Sequence, residues 1–158
     1  MANLLQFGLS ASKGTLVRGK DLPICKFYSS TATDKISGGM VVKISAGSGN
    51  AVPSVTSVEL AGSSDADQYG VVVNNVVKAE HGVGEMVEVA VCGDEVIMEA
   101  SDVITAGSQV AFDSSTGKVA TQGSSEYAIG IAQESAGADG DLIRVLITVT
   151  GALGVAGT

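Results

Sequence analysis

Apolar and polar residues alternate along this chain over short stretches, and breaks bearing glycine separate one stretch from the next. Met86-Val87-Glu88-Val89-Ala90-Val91 puts Val87, Val89 and Val91 on one face. Ile143-Arg144-Val145-Leu146-Ile147 does the same with Ile143, Val145 and Ile147. A period of two is the mark of a half-buried strand. Read this way, the pattern predicts strands near 39–45, 52–60, 69–77, 85–92, 94–99, 108–113, 117–121, 126–133 and 141–149. Ser114-Ser115-Thr116-Gly117 predicts a hairpin turn, because Gly accepts positive φ. Residues 100–107 predict at most one helical turn, with Ser101 or Asp102 as cap and Ile104 as its apolar anchor.

The strands come in two sets. Asp34-Lys35-Ile36-Ser37-Gly38-Gly39-Met40-Val41-Val42 returns 68 residues later as Asp102-Val103-Ile104-Thr105-Ala106-Gly107-Ser108-Gln109-Val110. Tyr69-Gly70-Val71-Val72 returns after 60 as Ile129-Gly130-Ile131-Ala132. Gly84-Glu85-Met86-Val87 returns after 56 as Gly140-Asp141-Leu142-Ile143. The predicted fold is therefore all-β: a small barrel or sandwich of two tandem, pseudo-twofold related strand units, 34–91 and 102–147, joined through 93–100. Closing such a sheet removes edges that would otherwise pair with other chains. This gives a barrel-like domain over 34–149, an extended N-terminal arm over 1–33 and a flexible, aperiodic tail over 150–158.

Composition narrows the chemistry. Aromatics are 4% and Trp is absent, so the core must be built from Val, Ile, Leu and Ala. Twenty-one Gly against two Pro fits many tight turns. Residues 1–35 carry five Lys or Arg against two Asp, while the rest carries four against fifteen acids. An acidic body argues against nucleic acid, which needs clustered cations. A basic arm on an acidic body suits contact with acidic protein surfaces, sister copies included. Cys25 and Cys92 match no metal or redox spacing and are expected to be reduced packing residues. A basic, apolar leader is lacking at the start, and 145–156 is too short and Gly-broken to span a bilayer, so a product made in the host cytoplasm with no membrane partner is expected.

The catalytic inventory is bare. His81 is the one imidazole, expected as a solvated residue in the loop 78–84, and no Gly-x-Ser-x-Gly elbow offers it a nucleophile. Gly82-Val83-Gly84 and Gly47-Ser48-Gly49 precede strands, so no helix N-terminus waits to hold phosphate. Asp65-Ala66-Asp67 and Asp139-Gly140-Asp141 each offer two carboxylates but lack the EF-hand loop, and solvated turns are the expectation. No enzyme, cofactor or metal site is expected.

The duplicated order of elements resembles that of the small Ala- and Gly-rich capsid cement (decoration) proteins of tailed phages. The resemblance rests on Gly-Met-Val-Val-Lys-Ile at 39–44, Gln-Tyr-Gly-Val-Val at 68–72 and Gly-Glu-Met-Val-Glu-Val-Ala-Val-Cys-Gly at 84–93. It continues through Ala-Ser-Asp-Val-Ile-Thr-Ala-Gly-Ser-Gln-Val at 100–110 and Thr-Gly-Lys-Val-Ala-Thr at 116–121. Tyr-Ala-Ile-Gly-Ile-Ala-Gln-Glu-Ser-Ala at 127–136 and Gly-Asp-Leu-Ile-Arg-Val-Leu-Ile at 140–147 complete it. It implies a non-enzymatic, oligomeric virion protein on the outer capsid surface, with the major capsid protein and itself as partners. A trimer would fit the threefold positions of the shell.

In that setting the arm is the expected grip, through Leu4, Leu5, Phe7, Leu9, Lys13, Leu16, Arg18, Lys20, Leu22, Ile24, Phe27 and Tyr28. Three of the six aromatics lie there, which a mere linker would not need. A second expectation is a glycan- or ligand-binding β module of a head fibre or adhesin, with a site among the loops 63–69, 78–84 and 135–140.

Overall fold

Short runs of β-branched residues, each cut by a turn, give thirteen strands and no helix among the described residues of a computed structural model. Those residues are 12–18, 24–28, 35–44, 57–74 and 79–148. In chain order the strands are β1 (Leu16–Arg18), β2 (Ile24–Tyr28), β3 (Ile36–Ser37), β4 (Val41–Ile44), β5 (Ser57–Leu60), β6 (Gln68–Val72) and β7 (Glu80–His81). They continue as β8 (Met86–Ala90), β9 (Glu95–Glu99), β10 (Gln109–Asp113), β11 (Lys118–Thr121), β12 (Gly130–Ala132) and β13 (Leu142–Ile147).

The first unit is a closed barrel in the order β2-β5-β4-β6-β8. β2 closes it, pairing antiparallel with β8 (Ile24↔Val89) and parallel with β5 (Tyr28↔Val58). The second unit repeats that ring in the order β9-β13-β12-β10-β11, and a single parallel bridge, Ala100↔Val119, meets where Tyr28↔Val58 meets in the first. The registers agree at matching pairs: Val42↔Gly70 corresponds to Val110↔Gly130, and Val71↔Ala90 to Ile131↔Leu146. A two-residue ladder, Ile36↔His81 and Ser37↔Glu80 (β3 with β7), caps the first barrel, and a single bridge, Ile104↔Ala136, caps the other. Turn bonds match as well, Gly39 N donating to Val72 O (2.8 Å) as Gly107 N donates to Ala132 O (2.7 Å).

The repeat therefore reaches further than its sequence traces. β2 and β9 are equivalent first strands, so β9 belongs to the second barrel and the connector is only the turn at 91–94. Gly93 takes φ 98° there, and Asp94 N donates to Val91 O at 3.0 Å. The helical turn expected over 100–107 is absent. That stretch is the counterpart of β3, and its backbone is committed across to Ala136, where Ile104 N and Ala136 N each donate to the other's carbonyl.

Alternation sorts the core. Ile36, Val42, Val58, Val72, Val87 and Val89 form a cluster of buried residues associated with the first barrel. Their counterparts Ile104, Val110, Val119, Ala132, Ile143 and Val145 are buried in the second. Each Val or Ile among them is worth roughly 1.5–3 kcal/mol when fully withdrawn from water. Val41, Ala61, Val71, Val73 and Ala90, in other positions of the first barrel, join the second barrel's residues in one continuous cluster. The two barrels thus share a core.

Residues 12–18 strap them together. β1 adds to the outer edge of β9 (Leu16↔Val96), and Leu16 packs on the shared core. Gly14 N donates to Ile97 O (2.7 Å), Ile97 N to Thr15 O (2.8 Å), and Asn74 N to Gly14 O (2.7 Å). Lys13 Nζ reaches Gly117 O (3.2 Å), and Asn74 Nδ2 donates to Ser12 Oγ (2.7 Å). Gly14, at φ +82°, sits so close to Gly38 and Gly39 that no Cβ would fit. Within the arm expected over 1–33, the described residues 16–18 and 24–28 are paired in sheets, where they satisfy backbone edges that β9, β5 and β8 would otherwise expose.

Candidate functional site

The groups with reactive potential occupy structural places. His81 is not a solvated loop residue: it lies in β7 opposite Ile36 and is 4% exposed, because the capping ladder draws it inward. Cys92 is not a packing residue either, since the turn at 91–94 leaves it exposed. Among the described residues no three His, Cys, Asp or Glu side chains gather as a metal cage.

The acidic turns are used to fold. Asp65 accepts from Gly62 N (2.8 Å) and meets Lys43 Nζ at 3.1 Å; these contacts, the backbone bond first, hold its carboxyl below the usual range. Glu126 accepts from Gly123 N (2.7 Å) in the equivalent turn of the second barrel. Asp139 pairs with Lys118 (2.7 Å), which also meets Glu99 (2.9 Å), and these two partners raise the Lys118 ammonium above its ordinary value. The loops named for ligand binding do not form one group of equivalents. Residues 79–84 and 135–140 are counterparts at the capped ends, whereas Ser63 O accepts from Tyr127 N (2.7 Å) between the barrels.

The proposed grip residues divide three ways. Leu4, Leu5, Phe7, Leu9, Lys20 and Leu22 lie outside the described residues. Lys13 and Leu16 belong to the strap, and Arg18 ends β1. Ile24, Phe27 and Tyr28 are in β2, where their backbone closes the first barrel.

A surface feature escaped the sequence reading. The exposed large apolar side chains among the described residues are Ile44, Val83, Met86, Val103 and Leu142. Met86 opens β8 and Leu142 opens β13, the same position in the two barrels, at 53% and 42% exposure. Val83 lies in the turn just before Met86. Val103 precedes Ile104 in the stretch laid beside 136–141. The signal was present in the aligned segments 84–87 and 140–143, which put a large apolar residue on the solvent phase of both strands.

No curated protein matches the chain. Among solved structures, the crystal structure of the head fiber gp8.5 N base in bacteriophage phi29 is similar, at a TM-score of 0.54 and 17% identity. The match covers 81% of this chain and 94% of that one, which is a likeness of fold. The family model described as phage cement protein matches residues 27–149, a span that runs from the end of β2 past the end of β13 and takes in both capped barrels. With more than half its length matched in this way, the chain belongs to the phage cement protein family.

Proposed function

We propose that this cement protein binds the outer surface of the assembled head and stabilises it by bridging neighbouring major capsid proteins. The family match over 27–149 is the observation that carries the reading. The fold supports it physically. Two barrels with a shared core and a strap behave as one stiff body, so a contact made at one end holds the other end in place.

Binding only the assembled shell stabilises that state by about 2.7 kcal/mol per site at a hundredfold excess over Kd. Self-association, as a trimer at threefold positions, would multiply this through effective concentration. Residues 1–11, with Leu4, Leu5, Phe7 and Leu9, are the proposed apolar grip. Lys13 and the backbone of the two strands that follow take part in the fold.

Sedimentation of the purified chain with mature heads and not with immature ones tests this reading. Deletion of 1–11 should leave the fold intact and weaken the association. Equal binding to both head forms would argue against a cement role, and undiminished binding by the deletion would remove the grip. A second reading, a glycan-binding module of a head fibre, draws on the fold shared with the fibre base. Micromolar binding of a sugar by the isolated chain would favour it.

A further inference from the structure

We propose that the capped end of the first barrel faces the shell, with Val83 and Met86 seated beside the arm on an apolar patch of the major capsid protein. The inference rests on the cement reading. It adds which face of the body meets the shell and what chemistry that face requires of its partner.

Val83 and Met86 are each 53% exposed. Single exposed aliphatics are ordinary on a protein surface. These two are neighbours at one rim, Val83 in the turn 82–85 and Met86 at the start of β8. Met86 shares the solvent phase of β8 with Glu88, while Val87 on the opposite phase is buried in the barrel. The core therefore has no need of an apolar side chain at 86.

The arm leaves the fold at this rim. Ser12 Oγ accepts from Asn74 Nδ2 (2.7 Å), and Asn74 follows Val73, whose N–H donates to Glu88 O (2.9 Å). Asn74 thus continues the pairing of β6 with β8 in the direction of Met86. Gly14 lies against Gly38 and Gly39, just before β4 at the same end of the barrel. A stretched chain spans at most about 3.3–3.6 Å per residue, so Leu9 lies within about 10 Å of Ser12 and Phe7 within about 18 Å. Both can touch a partner that Met86 touches.

The second cap does not share this place. The second barrel sets the end opposite its cap, with Phe112 and Ile147, on the outer wall of the first, where Val41, Val71, Val73 and Ala90 join its core cluster. Gly117, at that same end, lies near Met40. The second cap, with Val103 and Leu142, therefore points away from that wall, while the first cap points along it. A single face of the shell meets one of them, and the arm leaves beside the first.

Position and charge together identify the occupant. Because arm and rim lie side by side, whatever the arm grips is held at high effective concentration against Val83 and Met86. Residues 1–11 carry no charged side chain, and around the apolar pair Glu80, Glu85 and Glu88 outnumber Lys35. An apolar contact in an acidic rim is complementary to an apolar patch bordered by Lys or Arg.

The test uses purified heads of the phage that encodes the chain, stripped of it, and sedimentation of the labelled full-length chain over a range of concentrations. Met86→Asp should weaken binding at least about tenfold, as loss of a buried anchor does. Leu142→Asp, at the equivalent position of the second barrel, and Ile44→Asp, at the uncapped end of the first, should bind as wild type does. Melting curves establish that each variant is folded, and Met86→Gln replaces the Asp variant if that one melts early. Wild-type affinity in the Met86 variant overturns the docking face and leaves the cement reading standing, and an equal loss in Leu142→Asp does the same. Self-association lost in the Met86 variant while head binding is unchanged would assign the rim to a second copy and overturn the proposal. A wild-type chain that does not sediment with heads overturns both.

Discussion

Gly70 lies against the carbonyl of Ala90 in the first barrel as Gly130 lies against that of Leu146 in the second, and a Cβ on either glycine would run into that oxygen. Val89 and Val145 press on the same two positions. Neither glycine has positive φ, so the requirement is one of space and not of backbone conformation.

That distinction gives Gly70→Ala and Gly130→Ala a definite sign. At an unobstructed site, Gly to Ala stabilises by about 0.4–1 kcal/mol through the unfolded chain. Here the obstacle is backbone held in a ladder, so each substitution should destabilise by about 1–3 kcal/mol, as overpacking does. Chemical denaturation at constant slope measures it. A rise in the midpoint for either variant would show that the strands part easily at this point.

Phe112 and Ile44 make the opposite comparison, an equivalent pair that diverged. Phe112 is fully buried in the shared core, while Ile44 at the end of β4 is 39% exposed. Phe112→Ala should cost about 3–5 kcal/mol. Ile44→Ala should stay within about 0.5 kcal/mol, as surface changes do. Similar losses from both would mean that the two barrels do not divide the core as described.

Much of this was legible in the residues. Alternation at 86–91 and 143–147 marks β8 and β13, and the turn 114–117 forms with Gly117 at φ 70° and its N–H on Asp113 O (2.8 Å). The paired segments at 35–42 and 103–110 also stand in equivalent places. What stayed hidden was pairing over long separations. β2 shares no obvious residues with β9, because Ile24-Cys25-Lys26-Phe27-Tyr28 and Val96-Ile97-Met98-Glu99-Ala100 are alike only in their register to β8 and β13. The strap was hidden for a similar reason. Gly14 is chosen by the closeness of Gly38 and Gly39, a fact of tertiary approach that no local period records. His81 and Cys92 exchanged their expected surroundings because capping and turn geometry, not hydropathy, place them.

The strap should report on the junction of the barrels. Gly14→Ala adds a methyl where φ is +82° and where Gly38 and Gly39 leave no room, so it should loosen residues 12–18 without melting either barrel. Local opening of this kind appears in amide exchange. Exchange at Ile97 N and Asn74 N, which donate to Thr15 O and Gly14 O, should quicken. Exchange at Ala132 N, bonded to Ser108 O inside the second barrel, should not. Unchanged protection at Ile97 would mean that β1 is not what covers the edge of β9.

Stability should fall off at both ends of the pH scale for nameable reasons. Asp65 is held below its ordinary value by the Gly62 N–H first and by Lys43 in addition. Asp113 is held down by the Ser115 hydroxyl, then by the Ser115 N–H and by Thr116. A depressed carboxyl contributes stability that is complete above its unfolded-state value, about pH 4, and is lost as pH falls through the folded value. Lys43 and Lys118 are raised, by the bond to Asp65 and by those to Asp139 and Glu99 respectively. Their contribution is complete below about pH 10.4 and is lost as pH rises through the higher folded values. The melting temperature should therefore be flat across neutral pH so far as these groups control it, with an acid limb below about pH 4. Asp65→Asn and Asp113→Asn together should flatten that acid limb, and Lys118→Met should flatten the alkaline one. An acid limb that keeps its slope in the double Asn variant would place the titrating stability on other carboxylates.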